Sequence, residues 1–260
     1  MRMMKKVLGM VTVLALSVSL LAGCGSTAAS PVSSAASTAA ESTTSSSVVS
    51  ETTSAAADEN VAAAAQLLND LTGSYQELWP VILADEYQQT WLDDCTALVG
   101  EENAEAAFEK LSSMVTSDVY GEDAVKAYAN GGGTYFCGFT NDLATLTFDG
   151  ETSTISGTDK DGNVLFSHTY HYIGMEPVHG LYEFESDDAD SGEFTYFFLA
   201  PDTSAETYHI EFRYGSDAEA LSQYDAGEYA YWVASGISTD CDQTMIDNCI
   251  ELFCTENLAG

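Results

Sequence analysis

Ala144-Thr-Leu-Thr-Phe148, Thr152-Ser-Thr-Ile-Ser-Gly157 and Asn163-Val-Leu-Phe-Ser-His-Thr-Tyr-His-Tyr172 are three short runs divided by Asp149-Gly150 and Asp161-Gly162. Their β-branched and aromatic residues favour strands. The Asp-Gly pairs favour tight hairpin turns, because glycine reaches positive φ freely. The same texture extends both ways, with further strands expected at 134–139, 180–186, 194–199 and 208–214. Sequential hairpins predict an antiparallel meander. Seven strands in a row favour a closed barrel, which removes exposed edges.

Ahead of this half the chain reads helical. Val61-Ala-Ala-Ala-Ala-Gln-Leu-Leu68 is strongly helix-forming and stops at Gly73. A second helical segment is expected over 74–79, meeting Pro80 and continuing into Val81, Ile82 and Leu83. Tyr87, Trp91, Leu92, Cys95 and Leu98 recur at spacings of three and four up to Gly100, and 103–114 repeats the pattern. A shorter helix, 122–129, precedes the Gly131-Gly132-Gly133 break. A last helix begins after Gly236, with Asp240 and Gln243 as its capping box and Ile246, Cys249, Ile250 and Phe253 as its buried stripe. The fold class expected is α+β, mainly β: an antiparallel barrel with N-terminal helices and a C-terminal helix.

The leader decides where such a domain works. Arg2, Lys5 and Lys6 precede an apolar run, Val7 to Leu21, too short to span a bilayer and flanked as in a signal peptide. It ends in Leu21-Ala-Gly-Cys24, which looks like a bacterial lipobox. That resemblance implies cleavage before Cys24, acylation of Cys24, and anchorage to membrane lipid at the extracytoplasmic face of a bacterial cell membrane. Residues 24–57 are almost wholly Ser, Thr, Ala and Val, with no aromatic, and read as a disordered tether. The domain proper is then 58–260, divided into a helical part (58–133), a barrel (134–215) and a C-terminal helical part (216–260).

The 260-residue chain carries a formal charge of −34, and beyond the leader its only cations are Lys110, Lys126, Lys160 and Arg213. So acidic a surface repels phosphate backbones, which excludes nucleic acid as a partner. It also concentrates cations near the surface. Cys95, Cys137, Cys241, Cys249 and Cys254 remain after Cys24, enough for two bridges and one free thiol in an oxidising compartment. Cys249 and Cys254 are five apart on a helix, roughly 140° around its axis, and do not readily pair with each other. There is no C-x-x-C, G-x-S-x-G, H-E-x-x-H or Gly-rich phosphate loop, so no enzyme activity is expected.

The order of helices, barrel and terminal helix resembles the ZinT family of zinc-binding calycins, related to lipocalins. The resemblance covers about 71–258. Its N-terminal cue is Leu71-Thr-Gly-Ser-Tyr-Gln-Glu-Leu-Trp-Pro-Val81. The family pattern S-D-H-x-I-x-P, H-F-H, a Gly with a charged tail and W-P-T-Y-Y-P is met by four stretches. They are Tyr196-Phe-Phe-Leu-Ala-Pro201, Thr207-Tyr-His209, Arg213-Tyr-Gly-Ser-Asp217 and Glu228-Tyr-Ala-Tyr-Trp232. The resemblance implies a calycin-like barrel and zinc or another divalent cation as cofactor, with metal-uptake transporter components as partners. Of the three zinc histidines in the family, the first falls on Phe197, the second on Thr207, and only the third is kept, as His209. The family's His-rich loop is absent.

Other ligands are then needed. His168 and His171 are three apart in a strand and point to opposite faces, so at most one can share a pocket with His209. Period two puts Thr207, His209, Glu211 and Arg213 on one face, and Tyr208, Ile210, Phe212 and Tyr214 on the other, better core face. His209 is the first candidate metal ligand, with His168, His171 and Glu211 behind it. Glu185-Ser-Asp-Asp-Ala-Asp-Ser-Gly-Glu193 offers oxygens for calcium but lacks EF-hand spacing and reads as a solvated loop. Two functions follow from these residues. One is a tethered lipoprotein that captures or hands over zinc or another divalent cation. The alternative is a lipocalin-like binder of a small organic ligand or protein partner, its pocket lined by Tyr170, Tyr172, Tyr182, Tyr196 and Tyr208.

Overall fold

A computed structural model describes residues 48–200 and 209–259; the leader, the lipobox with Cys24, the tether as far as 47 and Thr207 lie outside the described residues. The elements run α1 (Val48–Asp70), β1 (Gly73–Glu77), α2 (Leu78–Ile82), α3 (Gln88–Val99), α4 (Glu101–Met114), α5 (Glu122–Ala129), β2 (Thr145–Asp149), β3 (Thr154–Thr158), β4 (Val164–Met175), β5 (Tyr182–Ser186), β6 (Tyr196–Leu199), β7 (His209–Gly215), α6 (Ala218–Leu221), β8 (Ala234–Ser238) and α7 (Gln243–Leu258). Residues 58–260 form one compact unit. Among the described residues no helix is long and apolar enough to cross a membrane.

The eight strands close an antiparallel barrel in chain order, β1 pairing with both β2 and β8. Six of them fall where the sequence places strands. The other two correct it. The expected helical segment from 74 is helical only from Leu78, as α2; its first part, 74–77, is in β1, with Tyr75 opposite Leu146 on one side and Ser238 on the other. Its partner β8, Ala234-Ser-Gly-Ile-Ser238, carries small residues with little strand propensity of their own. Both are strands because closing the barrel satisfies their backbone groups. Conversely, 134–139 is not a strand. It is an arch whose Phe136 makes single bridges to Thr116 and Trp232. Its backbone pairs with the segment leading into β8, through Phe136 with Tyr231 and Val233 and through the Cys137 carbonyl with the Ser235 amide, without joining the barrel's strand order.

Register sorts the side chains. Tyr75, Leu146, Phe148, Ile155, Phe166, Tyr170, Phe184, Phe197, Phe212 and Tyr214 belong to one buried cluster that fills the barrel. A second cluster joins Leu78, Trp79, Ile82, Trp91, Leu111, Ile246, Cys249, Ile250 and Cys254 to Cys137 and to Ile237 of β8. The helices therefore cover the outer wall around β8. Trp91 Nε1 donates to the Ile82 carbonyl at 2.7 Å, fixing α3 under α2. The cap of α7 lies two residues later than expected: the Asp242 carboxylate accepts from the Met245 amide at 3.0 Å.

Gly162 has φ +82, as its hairpin requires, but Gly150 does not adopt positive φ. Its turn is longer, with Asp149 Oδ1 accepting from the amides of Glu151 (3.1 Å) and Thr152 (3.3 Å). Glycine is needed at 150 for a different reason. A Cβ there would stand 2.4 Å from Asn69 Cα and 2.6 Å from the Leu68 carbonyl oxygen, both backbone atoms of the last turn of α1. Gly150→Ala should push the hairpin off α1 at a cost of about 1–3 kcal/mol. Thermal unfolding should register this as a Tm lower by about 3–10 °C; an unchanged Tm would mean that this contact does not exist in solution.

Candidate functional site

Strand β4 delivers two histidines to opposite sides of the barrel wall, as period two requires. His168 is in register with Ile155 and shares its inward parity. Its ring lies 5.9 Å from that of Phe166 and 6.4 Å from that of Tyr170. Its Nδ1 is 2.8 Å from Asp188 Oδ2. His171 is in register with Glu185 on the outer side. Its Nδ1 is 2.8 Å from Asp187 Oδ1, and its Nε2 is 4.0 Å from Glu185 Oε2.

The two aspartates come from the bend immediately after β5, and their carboxylates go to opposite sides of the wall. Asp187 reaches the outer histidine and Asp188 the inner one. Hydrogen bonds hold the loop in place. The Asp187 amide donates to the Thr169 carbonyl at 2.8 Å. The Asp188 amide donates to Ser186 Oγ at 3.1 Å, Ser191 Oγ donates to the Asp188 carbonyl at 2.8 Å, and the two serine hydroxyls are hydrogen-bonded to each other at 2.7 Å. The acidic run thus clasps the strand carrying the histidines. Tyr196 donates its hydroxyl to Glu185 Oε1 at 3.1 Å, and this hydrogen bond steadies that carboxylate.

A neutral imidazole that donates Nδ1–H to a carboxylate presents its Nε2 lone pair outward, the usual setting of a metal-ligating histidine. His171 with Glu185 gives two such donors on one face. Among the described residues no group of three His, Cys, Asp or Glu side chains converges on one point.

His209 sits elsewhere. It is in register with Ile237, which belongs to the helix-covered cluster, so His209 faces out of the barrel, partly buried. Glu211, opposite Ser235, shares that face. Burial above all, with the Glu211 charge next for Cys137 and the Cys241 and Glu211 charges next for Cys249, pushes both thiols up to about 12. Gly215 is in register with Tyr196, and through it with Glu185 and His171. His209 is six positions along β7 from Gly215, roughly 20 Å at about 3.3 Å per residue. The four candidates therefore divide into an outer His171, an inner His168, and a distant outer pair, His209 and Glu211.

The three-imidazole zinc site implied by the resemblance does not fit these residues. Phe197, at the place of the first family histidine, points inward and is fully buried. Its ring centroid is 5.9 Å from Phe166, 5.4 Å from Tyr170, 6.4 Å from Phe212 and 5.4 Å from Tyr214. An inward Phe197 and an outward His209 cannot hold one ion.

The tyrosines proposed for an organic pocket do not gather either. Tyr170 is buried and donates to the Phe194 carbonyl at 2.5 Å. Tyr172 and Tyr182 face inward, 5.8 Å apart. Tyr196 faces outward, and Tyr208 lies outside the described residues.

One buried group was not singled out as a site by the sequence. Arg213, on the outer face of β7, is fully buried. It donates Nη1 to the Leu221 carbonyl, and Nη2 to the Tyr229 and Gln223 carbonyls at 2.5 and 3.5 Å. Its guanidinium carbon stands 4.1 Å from the Tyr224 ring centroid, and the His179 ring lies 3.7 Å from Tyr224. Burial lowers the Arg213 pKa and raises that of Tyr224. The carbonyl partners come from a loop 8 to 16 residues on, so Arg213 fastens that loop to the barrel wall.

No family model and no curated protein matches the chain. Among solved structures, the chain is similar to the Zn(II)-bound ZinT-like domain of Streptococcus pneumoniae AdcA, at 16% identity over 71% of this chain and 89% of that one, with a TM-score of 0.45. It is also similar to Zn(II)-bound AdcA of Streptococcus pneumoniae, at 14% identity over 72% of this chain and 35% of that one, with a TM-score of 0.43.

Proposed function

We propose that this chain is a non-catalytic, lipid-anchored protein of the outer face of a bacterial membrane that binds a divalent cation, zinc first, for capture or handover to an uptake system. The lipobox-like Leu21-Ala-Gly-Cys24 supports the anchorage, and the acidic surface supports the preference for cations. The observation that carries the reading is His171. Asp187 orients its imidazole, and its Nε2 stands 4.0 Å from the Glu185 carboxylate. Two protein donors leave the other positions of a tetrahedral ion to water, which makes binding exchangeable rather than structural. Exchangeable binding suits handover.

Zinc titrated into the metal-stripped protein should bind one to one, with a dissociation constant tighter than about 10⁻⁴ M. His171→Ala should weaken it at least about tenfold, the loss of one ligand. Binding weaker than that limit overturns the cation reading. Binding unchanged in His171→Ala but lost in His209→Ala moves the site to β7.

A further inference from the structure

Cys95 on α3 and Cys254 on α7 face each other with their sulfurs 3.8 Å apart, and both residues are fully buried. They stand 159 residues apart in sequence, and α3 and α7 pack together in the layer that covers β8. Both are free thiols, as are Cys137, Cys241 and Cys249. Closing the sulfurs from 3.8 Å to bonding distance takes less than about 2 Å.

We propose that Cys95 and Cys254 are the disulfide-forming pair of this fold, stapling α3 to α7. The oxidant is of the disulfide class, a small-molecule or protein disulfide. One cysteine thiolate attacks it, forming a mixed disulfide and releasing one of its sulfurs as thiolate. The second cysteine thiolate attacks the mixed disulfide and releases the other. The partner disulfide bond and two S–H bonds break. One Cys95–Cys254 bond and two S–H bonds on the reduced partner form, the two protons passing from the cysteines to the released thiolates.

Burial shapes when this happens. It raises the pKa of both thiols, and burial is the largest cause for each. Once docked, the pair therefore exposes little thiolate and no surface to an oxidant. Exchange belongs to folding, before α7 closes over α3. After closure the bond is shielded from reductant for the same reason. A bridge spanning so long a loop restricts the unfolded chain strongly. The inference does not depend on the cation reading or on the anchor.

The test refolds the reduced full-length chain, carrying Cys24→Ser, in a glutathione redox buffer. After acid quench and alkylation, peptides are mapped by mass spectrometry. The expected product is one dominant linked peptide joining Cys95 to Cys254, with Cys137, Cys241 and Cys249 alkylated. The oxidised form should melt about 10 °C above the reduced form. Cys95→Ser and Cys254→Ser should each abolish that difference. Should the serine variants not fold, comparison of the oxidised and reduced parent decides alone. Five alkylated cysteines after oxidative refolding, or a dominant link between any other pair, overturns the proposal.

Discussion

Arg213→Met should destabilise the protein by about 3–5 kcal/mol, read as a lower midpoint in equilibrium urea unfolding with the slope unchanged. The magnitude follows from what stays behind. Replacing a whole buried ion pair by apolar residues can be neutral, because both partners leave together. Here the partners are the main-chain carbonyls of Leu221, Gln223 and Tyr229, which no side-chain substitution removes. Each buried acceptor left without a donor costs about 1–3 kcal/mol. Loss of the guanidinium from the face of Tyr224 adds about 0.5–2 kcal/mol. Desolvation of the cation in the parent offsets part of this, which keeps the total below the simple sum. Arg213→Lys keeps the charge but not the fork, and should cost about 2 kcal/mol, since one ammonium cannot span three carbonyls. Equal stability of Arg213→Met and the parent would mean that the loop from Leu221 to Tyr229 does not rest on this side chain.

Arg213 also shows where reading the sequence stops. Period two correctly places it opposite the core face of β7, and an arginine there reads as solvated. The loop that buries it follows in the chain, but nothing in Leu221-Ser-Gln-Tyr224 announces that its carbonyls turn back onto the strand. Strands β2 to β7 are legible because each is bounded by local turn chemistry. Strands β1 and β8 are not, because their partners are each other and β2 and β7, and a five-residue strand holding glycine has no local signature. The split between His168 and His171 follows from spacing alone. Their aspartates do not, since the β4–β5 hairpin shifts register between Tyr172 and Gly174 and so sets which loop residue meets which ring. Likewise the helical stripes place Cys95 and Cys249 in a core, while the contact of Cys95 with Cys254 depends on how two distant helices cross.

Phe197→His, which places a histidine where the resemblance puts the first zinc ligand, should destabilise the barrel by about 3–5 kcal/mol and leave zinc affinity within twofold of the parent. The stability loss has two parts. A smaller ring gives up contact with Phe166, Tyr170, Phe212 and Tyr214 at the barrel centre. The imidazole also brings two ring nitrogens into an apolar interior, each costing about 1–3 kcal/mol if it finds no partner. Phe197→Leu, which removes the ring without adding a polar atom, separates the parts and should cost less. The affinity should not change because β6 and β7 are paired with Phe197 opposite Tyr214, and both side chains face inward. His209, five positions from Tyr214, has the opposite parity and faces the helices with Ile237. A histidine at 197 therefore looks into the barrel while His209 looks out of it, with the strand wall between them. Tenfold tighter zinc binding in Phe197→His that disappears on adding His209→Ala would require both side chains on one face, and so a register for β7 shifted by one residue. Without that result, a metal ion bound by this barrel would need ligands other than a histidine trio at 197, 207 and 209, and His171 with Glu185 is the pair whose atoms already face each other.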